Sequence, residues 1–316
     1  MRFPATDLTV DLPCVMGIVN VTPDSFSDGG LHADADSAVA HGLLLASEGA
    51  AILDIGGEST RPGSEPVSVA DELARVLPVI ERLVIGAPTL ISVDTTKAAV
   101  ARAALAAGAT IVNDVTALRG DPAMAALVAE HGCQVCLMHM LGEPRTMQDD
   151  PHYDDVVGEV VAFLEQRMAA ALAAGVREEQ ILLDPGIGFG KTLEHNLLLL
   201  AHLDRIAALG RPVVLGASRK RFIGALLGAQ PQQREVGTVA TTVLGLARGA
   251  AVVRVHDVRP NVEALRVAQA IIEAGEADVA RGARGAGAAG AAGEAHRANE
   301  ARRANEADRA RERGAP

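Results

Sequence analysis

Polar side chains stand at the ends of eight short apolar segments of this chain. They are groups that accept, donate or carry charge: Asn20, Glu58-Ser59-Thr60-Arg61, Asp94, Asn113-Asp114, Met138-His139, Asp184, Ser218-Arg219-Lys220, and Arg254 with His256. Any one of them could have a structural role instead of a functional one. Asp94, directly before TTKAAVARAAL, could equally well be the cap of a helix. Burial without partners would cost roughly 2–7 kcal/mol for each group, so together they predict a ligand site.

One set of these groups suits a heterocycle. Asp94, Asn113 and Asp184 supply hydrogen-bond acceptors and an amide, and Lys220 supplies a cationic donor. Carboxylates accept from ring N–H groups, and an ammonium donates to a carbonyl. The set therefore predicts a site for a flat ring that carries several N–H groups and a carbonyl.

A second set supplies mainly donors, from Asn20, Thr60, Arg61, Arg254 and His256. Arg254 and His256 are two residues apart on one apolar segment, so in a strand their side chains point to the same side. Cationic and hydroxyl donors on one side are typical of a phosphate or diphosphate site.

The elements that position these groups alternate along the chain. Strands are predicted over 14–21, 51–56, 89–95, 111–116, 134–139, 181–187, 212–218 and 252–257, and helices over 36–49, 68–84, 97–107, 121–131, 154–174, 193–208, 235–249 and 260–274. Nearly continuous apolar strands indicate parallel strands covered on both faces. Eight such units predict an α/β fold, a (β/α)8 TIM barrel, with its active site where the strands end. No G-x-G-x-x-G follows the first strand, which disfavours a dinucleotide-binding sheet.

The chain changes character near its C-terminus. Residues 276–316 are rich in Ala, Gly, Arg and Glu and contain almost no large apolar residue. These residue types favour a helix, but without an apolar face a helix has nothing to pack against. We therefore predict a catalytic barrel over 1–275 and a low-complexity, disordered tail over 276–316.

Composition excludes several classes of function. The chain is 49% hydrophobic but only 2% aromatic, and its formal charge is −11. A nucleic-acid partner would require clustered cations or stacking rings, so none is expected. Because no long uncharged apolar run is present and the first residues do not resemble a signal peptide, no membrane association and a cytoplasmic location are expected.

The cysteines do not form a recognisable metal or redox site. Cys133 and Cys136 make a lone C-x-x-C in CQVCLMHM, and Cys14 stands far away. In a strand, residues three apart point to opposite faces, so we predict that both pack structurally. His139 is a weak zinc-ligand candidate because no second cysteine pair accompanies it.

Several segments carry a family resemblance. MGIVNVTPDSFSDGG, DIGGESTRPGSEPVS, SVDT, NDV, LLDPGIGFGKT, GASRKRFIG and RVHDV resemble, in order, the signature blocks of the dihydropteroate synthase family over residues 14–270. The resemblance implies a transferase of folate biosynthesis that joins p-aminobenzoate to (7,8-dihydropterin-6-yl)methyl diphosphate and releases diphosphate. It also implies Mg²⁺ as cofactor, sulfonamides as competitors, and a homodimer.

The resemblance further implies a role for each site residue. The pterin would be bound by Asp94, Asn113, Met138, Asp184 and Lys220; the diphosphate by Asn20, Thr60, Arg254 and His256; and p-aminobenzoate by Phe26, Thr60, Arg61, Pro62, Phe189, Ser218 and Lys220. Asn20 would also be a ligand of the metal, and Asp94, Asp184, Lys220, Arg254 and His256 would be the catalytic groups.

Two further features bear on substrate binding. VTPDSFSDGG after the first strand predicts a mobile lid. Arg221 follows SRK where many family members have a small hydroxyl residue that helps hold the p-aminobenzoate carboxylate. A backbone N–H at a helix start can still bind a carboxylate, so we expect activity, with an altered affinity for p-aminobenzoate and sulfonamides.

Three other functions remain as alternatives. A methyltetrahydrofolate-binding methyltransferase domain would share the Asp/Asn/Asp set but has no use for the STRPGS loop or the diphosphate pair. A Schiff-base lyase would use Lys220 as its nucleophile, yet Lys220 follows a strand rather than standing inside one. A non-catalytic pterin-binding paralogue would keep the site without turnover.

Overall fold

A closed barrel of eight parallel strands forms the centre of the molecule. The computed structural model describes residues 10–21, 30–60 and 63–278, with the backbone alone over 30–34. The strands are β1 Cys14–Asn20, β2 Ile52–Gly56, β3 Leu90–Asp94, β4 Ile111–Asp114, β5 Gln134–Met138, β6 Ile181–Asp184, β7 Val213–Leu215 and β8 Ala250–Val255. Each pairs in parallel with the next, and β8 pairs with β1 to close the ring. The predicted (β/α)8 barrel is confirmed.

Helices connect the strands on the outside. They are α1 Gly30–Ser47, α2 Val69–Gly86, α3 Ala98–Ala106, α4 Met124–His131, α5 Val156–Ala173, α6 Leu193–Ala201, α7 Leu203–Ala207, α8 Arg221–Leu227, α9 Glu235–Ala247 and α10 over 258–278. The predicted helix over 193–208 is two helices, because the backbone leaves helical geometry at His202, where φ is −120° and ψ is 31°. The short α8 carries too few turns for its apolar spacing to be recognised from the sequence.

Side chains from all eight strands fill the bottom of the barrel with an apolar layer. Its buried members are Cys14, Met16, Ile52, Leu90, Ile111, Cys136, Leu182, Val214 and Val252. Alternate residues of a strand share a face, so the next inward layer lies two residues further on. That layer is Ile18, Asp54, Ser92, Asn113, Met138, Asp184, Gly216 and Arg254. The barrel thus changes from apolar to polar within one step toward the ends of its strands, which we call the barrel mouth.

A larger apolar core lies between the barrel and its helices, and it separates the two neighbouring cysteines. Cys133 belongs to this outer core, whereas Cys136 belongs to the inner layer. Both thiols are free and buried, and burial raises the pKa of Cys133 to about 12. Because each thiol packs in a different apolar core, the prediction that both cysteines pack structurally is confirmed.

The chain divides into two units, Met1–Arg266 and Val267–Pro316. Within the second unit the structure describes residues 267–278 as helix, and Gln269 donates to Glu273 one turn later. The predicted tail lies almost wholly beyond residue 278, outside the described part of the chain, and the boundary at 275/276 stays a prediction. None of the described helices is long and apolar enough to cross a membrane.

Candidate active site

An ion-pair network joins three strands in the barrel mouth. From β8, Arg254 donates through Nε to Asp54 Oδ2 at 2.6 Å and through Nη2 to Asp94 Oδ2 at 2.8 Å. Asn113 Nδ2 donates to the same Asp54 oxygen at 3.0 Å. The sequence prediction separated Arg254 and Asp94 into two groups of different chemistry, and the structure brings them into direct contact. Asp54 at the centre, which is fully buried, was not among the predicted site residues.

Asp94 does not cap the helix that follows it. The first amide of α3, that of Ala98, is instead bound by Asp121 Oδ2 at 2.9 Å. Burial raises the pKa of Asp94 to about 7; the charge of Arg254 opposes this effect, and Asp54, Glu72 and Asp114 reinforce it. The guanidinium is therefore the group that limits the rise of this pKa and favours the charged form of the buried carboxyl.

Asp114, the next acid along β4, has a structural role. Its two oxygens accept from the backbone N–H groups of Thr116 and Leu118, each at 2.8 Å. These bonds fix a loop in which Ala117 and Leu118 adopt left-handed backbone angles.

Lys220 approaches Asp184 on the opposite side of the mouth. Both side chains lie within 4 Å of the position that a Cβ on Gly216 would take, so this glycine makes room for the pair. Lys220 Nζ donates to the carbonyl of Ile187 and lies 4.6 Å from the centre of the Phe189 ring. Burial lowers the pKa of Lys220 to about 8, and the charge of Asp184 counteracts part of that effect. At neutral pH the lysine is still a cation.

The loop after β6 is fixed by side-chain donors, three of them from outside the loop and the fourth, Lys191, from its own last residues. Four successive carbonyls, from Ile187 to Gly190, each accept a side-chain donor, in the order Lys220, Gln148, Lys191 and Tyr153. Asp184 Oδ1 also accepts from Gly186 N at 2.7 Å. Phe189 is thereby held against an apolar cluster of Val115, Met138, Met140 and Met147.

Lys191, near the end of this loop, is a buried lysine that the sequence prediction missed. Its Nζ lies 2.9 Å from His139 Nδ1 and 3.0 Å from the carbonyl oxygen of Phe189. Burial lowers the pKa of Lys191 to about 7, and burial together with the charge of Lys191 lowers the pKa of His139 to about 3. His139 is thus a neutral acceptor for the lysine, which gives it a structural role.

The turn after β7 is anchored on β8 and α9. Ser218 Oγ lies 3.0 Å from His256 Nδ1 and accepts from the His256 backbone N–H at 3.2 Å. Arg219 adopts a left-handed φ of 56°, and its guanidinium makes a two-bond pair with Asp257. Arg234 donates to the Arg219 carbonyl at 2.9 Å. Arg221 is the exposed first residue of α8, and its effect on carboxylate binding stays a prediction.

A second buried charge cluster fixes the start of the loop after β2. Lys97 Nζ contacts Glu58 Oε2 at 2.8 Å and Glu72 Oε2 at 2.5 Å, and Glu72 is fully buried. The other oxygen of Glu58 accepts from Val67 N at 2.7 Å. The segment that carries Thr60 therefore begins from an anchored point.

The remaining predicted residues are less constrained or lie outside the described part of the chain. Asn20 and Thr60 are half-buried, at the end of β1 and shortly after β2. Asn20 is in register with Gly56, which is in register with Asp94. Phe26, Arg61, Pro62 and the predicted lid lie outside the described residues.

Comparison with known proteins gives the same result at every level. A family model described as pterin binding enzyme matches residues 16–256. The dihydropteroate synthase of Escherichia coli is 48% identical over 271 residues, which cover 86% of this chain and 96% of that protein. The chain belongs to the dihydropteroate synthase family. Family membership makes it an enzyme, a transferase of folate synthesis.

Solved structures of the family share the whole barrel. Xanthomonas albilineans dihydropteroate synthase with 4-aminobenzoic acid is 57% identical, with a TM-score of 0.79, and the match covers 84% of this chain and 94% of that one. Yersinia pestis dihydropteroate synthase in a sulfonamide complex is 46% identical, with a TM-score of 0.82, and the match covers 86% and 100%. Both structures are named dihydropteroate synthase, which agrees with the family resemblance of the sequence. Neither is named as a methyltransferase or a lyase.

The tightness of the loop after β6 leads to a stability prediction. Gly186 has a φ of +67° and a Cβ there would overlap the carbonyl oxygen of His139, whereas Gly210, with a φ of +76°, has no atom within 4 Å of its Cβ position. Gly210→Ala should lower the free energy of unfolding by about 1–2 kcal/mol, the cost of left-handed backbone. Gly186→Ala should lower it by about 1–3 kcal/mol more because of the overlap. Urea unfolding of both variants measures the difference, and equal losses would contradict the packing described.

Proposed function

We propose that this enzyme condenses p-aminobenzoate with (7,8-dihydropterin-6-yl)methyl diphosphate, giving 7,8-dihydropteroate and diphosphate. The observation that carries the proposal is the convergence of Asp94, Asn113, Asp184, Lys220 and Arg254 in one barrel mouth. Asp94, Asn113 and Asp184 supply acceptors for ring N–H groups. Lys220 supplies a donor for a ring carbonyl, and Arg254 supplies a positive charge for the leaving group. The family relatives of the same name support the choice of substrates.

The pterin ring would be bound in the inner mouth. Asp94 and Asp184 accept hydrogen bonds from its N–H groups. Asn113 presents its side-chain oxygen to the ring, because its Nδ2 already donates to Asp54. Lys220, still charged at neutral pH, donates to the ring carbonyl. Met138, in the apolar cluster with Phe189, would contact the face of the ring.

The diphosphate would lie at the rim, among Asn20, Thr60, Arg254 and His256. His256 is oriented by Ser218, and Arg254 reaches the mouth from below. Mg²⁺ is proposed as cofactor. Asn20 offers it a side-chain oxygen at the end of β1, and the described residues contain no cluster of three or more His, Cys, Asp or Glu side chains. That fits a small cation bound through one protein oxygen and the substrate phosphates.

The reaction is a substitution at the methylene that carries the diphosphate. We propose an SN1-like order, in which the C–O bond breaks first and the electron-rich dihydropterin delocalises the resulting positive charge. Mg²⁺ would supply charge neutralisation on the leaving group. Arg254 and His256 stabilise the departing diphosphate, and Asp94 and Asp184 favour the cationic ring electrostatically.

The amine of p-aminobenzoate then attacks the carbon, and its proton is lost. This amine is already a nucleophile, so the enzyme's task is to position it. Phe26, Thr60, Arg61, Pro62, Phe189, Ser218 and Lys220 are proposed for that position. Sulfonamides would compete there, as the named complex of the Yersinia pestis relative suggests.

A cytoplasmic location also stays a prediction.

The decisive assay is release of diphosphate from the pterin diphosphate in the presence of Mg²⁺. Release should depend strictly on p-aminobenzoate, and Asp184→Asn should lower the rate by at least tenfold because a ring acceptor is lost. Glu178→Gln, on the short helix before β6, is a surface control and should leave the rate unchanged. Tight pterin binding without any release would establish the non-catalytic alternative instead.

The role of Lys220 leads to a pH prediction. The pKa of Lys220 is lowered to about 8, so its charge is present below that pH and is lost above it. The affinity for 6-hydroxymethyl-7,8-dihydropterin should therefore fall as the pH rises through about 8. Lys220→Arg keeps its charge throughout and should show a weaker affinity that does not fall in this range. Calorimetric titrations between about pH 7 and 9.5 test this, and an alkaline loss that persists in Lys220→Arg would contradict it.

We also propose a homodimer, formed through one apolar surface. Exposed large apolar side chains concentrate on α6, α8 and α9, and α6 contacts both α8 and α9. They are Leu193, Leu197, Leu198, Leu226, Leu227, Val236 and Leu244. A contiguous apolar surface on a monomer marks an association site, and a self-complementary surface forms a two-fold dimer.

Light scattering after size exclusion tests the dimer at micromolar concentration. Leu227→Glu, which places a charge in this surface, should convert the dimer to a monomer. Ile85→Glu is the matched control, since Ile85 is 89% exposed on α2, outside the surface. A wild-type monomer, or a Leu227→Glu dimer as stable as wild type, would overturn the assignment.

A further inference from the structure

Asp54 connects residues of both proposed subsites. It lies inside β2, is fully buried, and accepts from Arg254 and Asn113 with the single oxygen Oδ2. Its other oxygen, Oδ1, is buried and has no hydrogen-bond partner among the described residues. Buried carboxylates that lack a full set of partners are costly, so this position is unusual for a residue that serves folding alone.

The guanidinium of Arg254 is held at two separate positions. Asp54 binds Nε, which is nearest the side-chain stem, and Asp94 binds Nη2 at the tip. The tip can therefore leave Asp94 by a small rotation while the Nε bond to Asp54 remains. The side chain of Arg254 is 20% exposed, which leaves room for the tip to reach the rim.

The two proposed subsites share one contact, the bond between Arg254 Nη2 and Asp94 Oδ2. One of the two N–H groups of Nη2 binds Asp94, so this N–H is not available to a diphosphate while the bond lasts. The same bond occupies one of the lone pairs of Asp94 Oδ2, so fewer acceptor positions remain for a ring N–H. Asp54 and Asp94 are two acids that share the one guanidinium of Arg254, so the guanidinium should leave either acid only for another anion.

We propose that Asp54 is a positioning residue, which holds Arg254 by Nε while Nη2 exchanges Asp94 for a diphosphate oxygen. The exchange frees Asp94 for the pterin ring and leaves the guanidinium paired on both sides. Asp54 also holds Asn113 by its Nδ2 and so leaves the Asn113 carbonyl oxygen for the ring. This inference rests on the proposed function and adds to it a residue and a coupling between the two subsites.

Because diphosphate draws Nη2 away from Asp94, it should tighten the binding of a pterin that carries no diphosphate of its own. This coupling is reciprocal, so the pterin should tighten the binding of diphosphate by the same factor. Calorimetry measures the dissociation constant of 6-hydroxymethyl-7,8-dihydropterin with and without saturating inorganic diphosphate, with Mg²⁺ present in both titrations. We expect diphosphate to tighten binding about tenfold in the wild-type enzyme. In Asp54→Asn the factor should fall close to one, because the uncharged amide holds Nε weakly and leaves Asp94 as the acid that the guanidinium stays paired with.

Glu72→Gln is the matched control. Glu72 is another fully buried acid whose charge acts on Asp94, but its carboxylate binds Lys97 rather than Arg254. The control should keep the wild-type factor. If Asp54 served folding alone, Asp54→Asn would lower the melting temperature and leave the factor unchanged, which would overturn the proposal.

A pH profile gives a second readout. Asp94 faces Arg254, Asp54, Glu72 and Asp114, and the acids among these raise its pKa. Removing the charge of Asp54 should lower that pKa, so the loss of pterin binding on the acid side should move to lower pH in Asp54→Asn. An unchanged acid limb would count against the proposal.

The outcomes separate this inference from the proposed function. If neither pterin nor diphosphate binds, the proposed function fails; if both bind without coupling in the wild-type enzyme, only the exchange fails. Should Asp54→Asn not fold, a crystal structure of the wild-type enzyme with diphosphate decides. It should show Nε still bound to Asp54 and Nη2 on the diphosphate, and an unbroken Nη2–Asp94 bond would overturn the proposal.

Discussion

The shortage of cations in the barrel mouth is the constraint on which the site depends. Asp54, Asp94 and Asp184 are set against Arg254 and Lys220, and burial makes every unpaired charge there costly. Arg254 is consequently shared between two acids from neighbouring strands, and Lys220 is placed beside the third. Each acid is thus kept close to a positive charge, so the mouth can hold carboxylates ready for ring donors without neutralising them all by protonation.

The loops around the mouth are fixed by the same means. Lys97 secures the start of the β2 loop through Glu58, and Arg219 with Asp257 secures the turn after β7. Side-chain donors occupy the carbonyls of the β6 loop, where Phe189 stands. Groups that must meet a flat ring within a few tenths of an ångström need such support from beneath, because a loop on its own samples many backbone conformations.

The barrel and most residues of its mouth could be predicted from the sequence, because the spacing of apolar residues indicates strands and helices and the placement of polar residues along the strands indicates the site. The eight strands follow from continuous apolar runs, and the predicted polar groups follow from where those runs end. Asp54 was missed although it lies inside the run ILDIG, much as Asn113 and Asp184 lie inside their predicted strands. Its signal was the two-residue step from Ile52, which points both side chains into the barrel. Glu72 carried a comparable signal, since it stands at helical spacing from the buried Val76, Val79, Ile80 and Leu83. The pairing of Arg254 with Asp94 had no sequence signal, because the residues that meet across a closed barrel depend on the stagger of its strands.

Lys191 and Lys220 show how the partner, rather than the residue type, decides what a buried lysine does. Burial lowers the pKa of both, and each lysine's charge acts on its surroundings. Lys220 lies beside Asp184, retains its charge at neutral pH, and reaches the mouth. Lys191 binds neutral acceptors, His139 and a backbone carbonyl, and a neutral amine can donate to these as well as an ammonium can. Its charge is therefore dispensable, whereas its length and its two bonds are needed to hold Phe189. The cation assigned to the chemistry is Lys220, because it stands beside Asp184 in the mouth and its pKa, about 8, remains above that of Lys191, about 7.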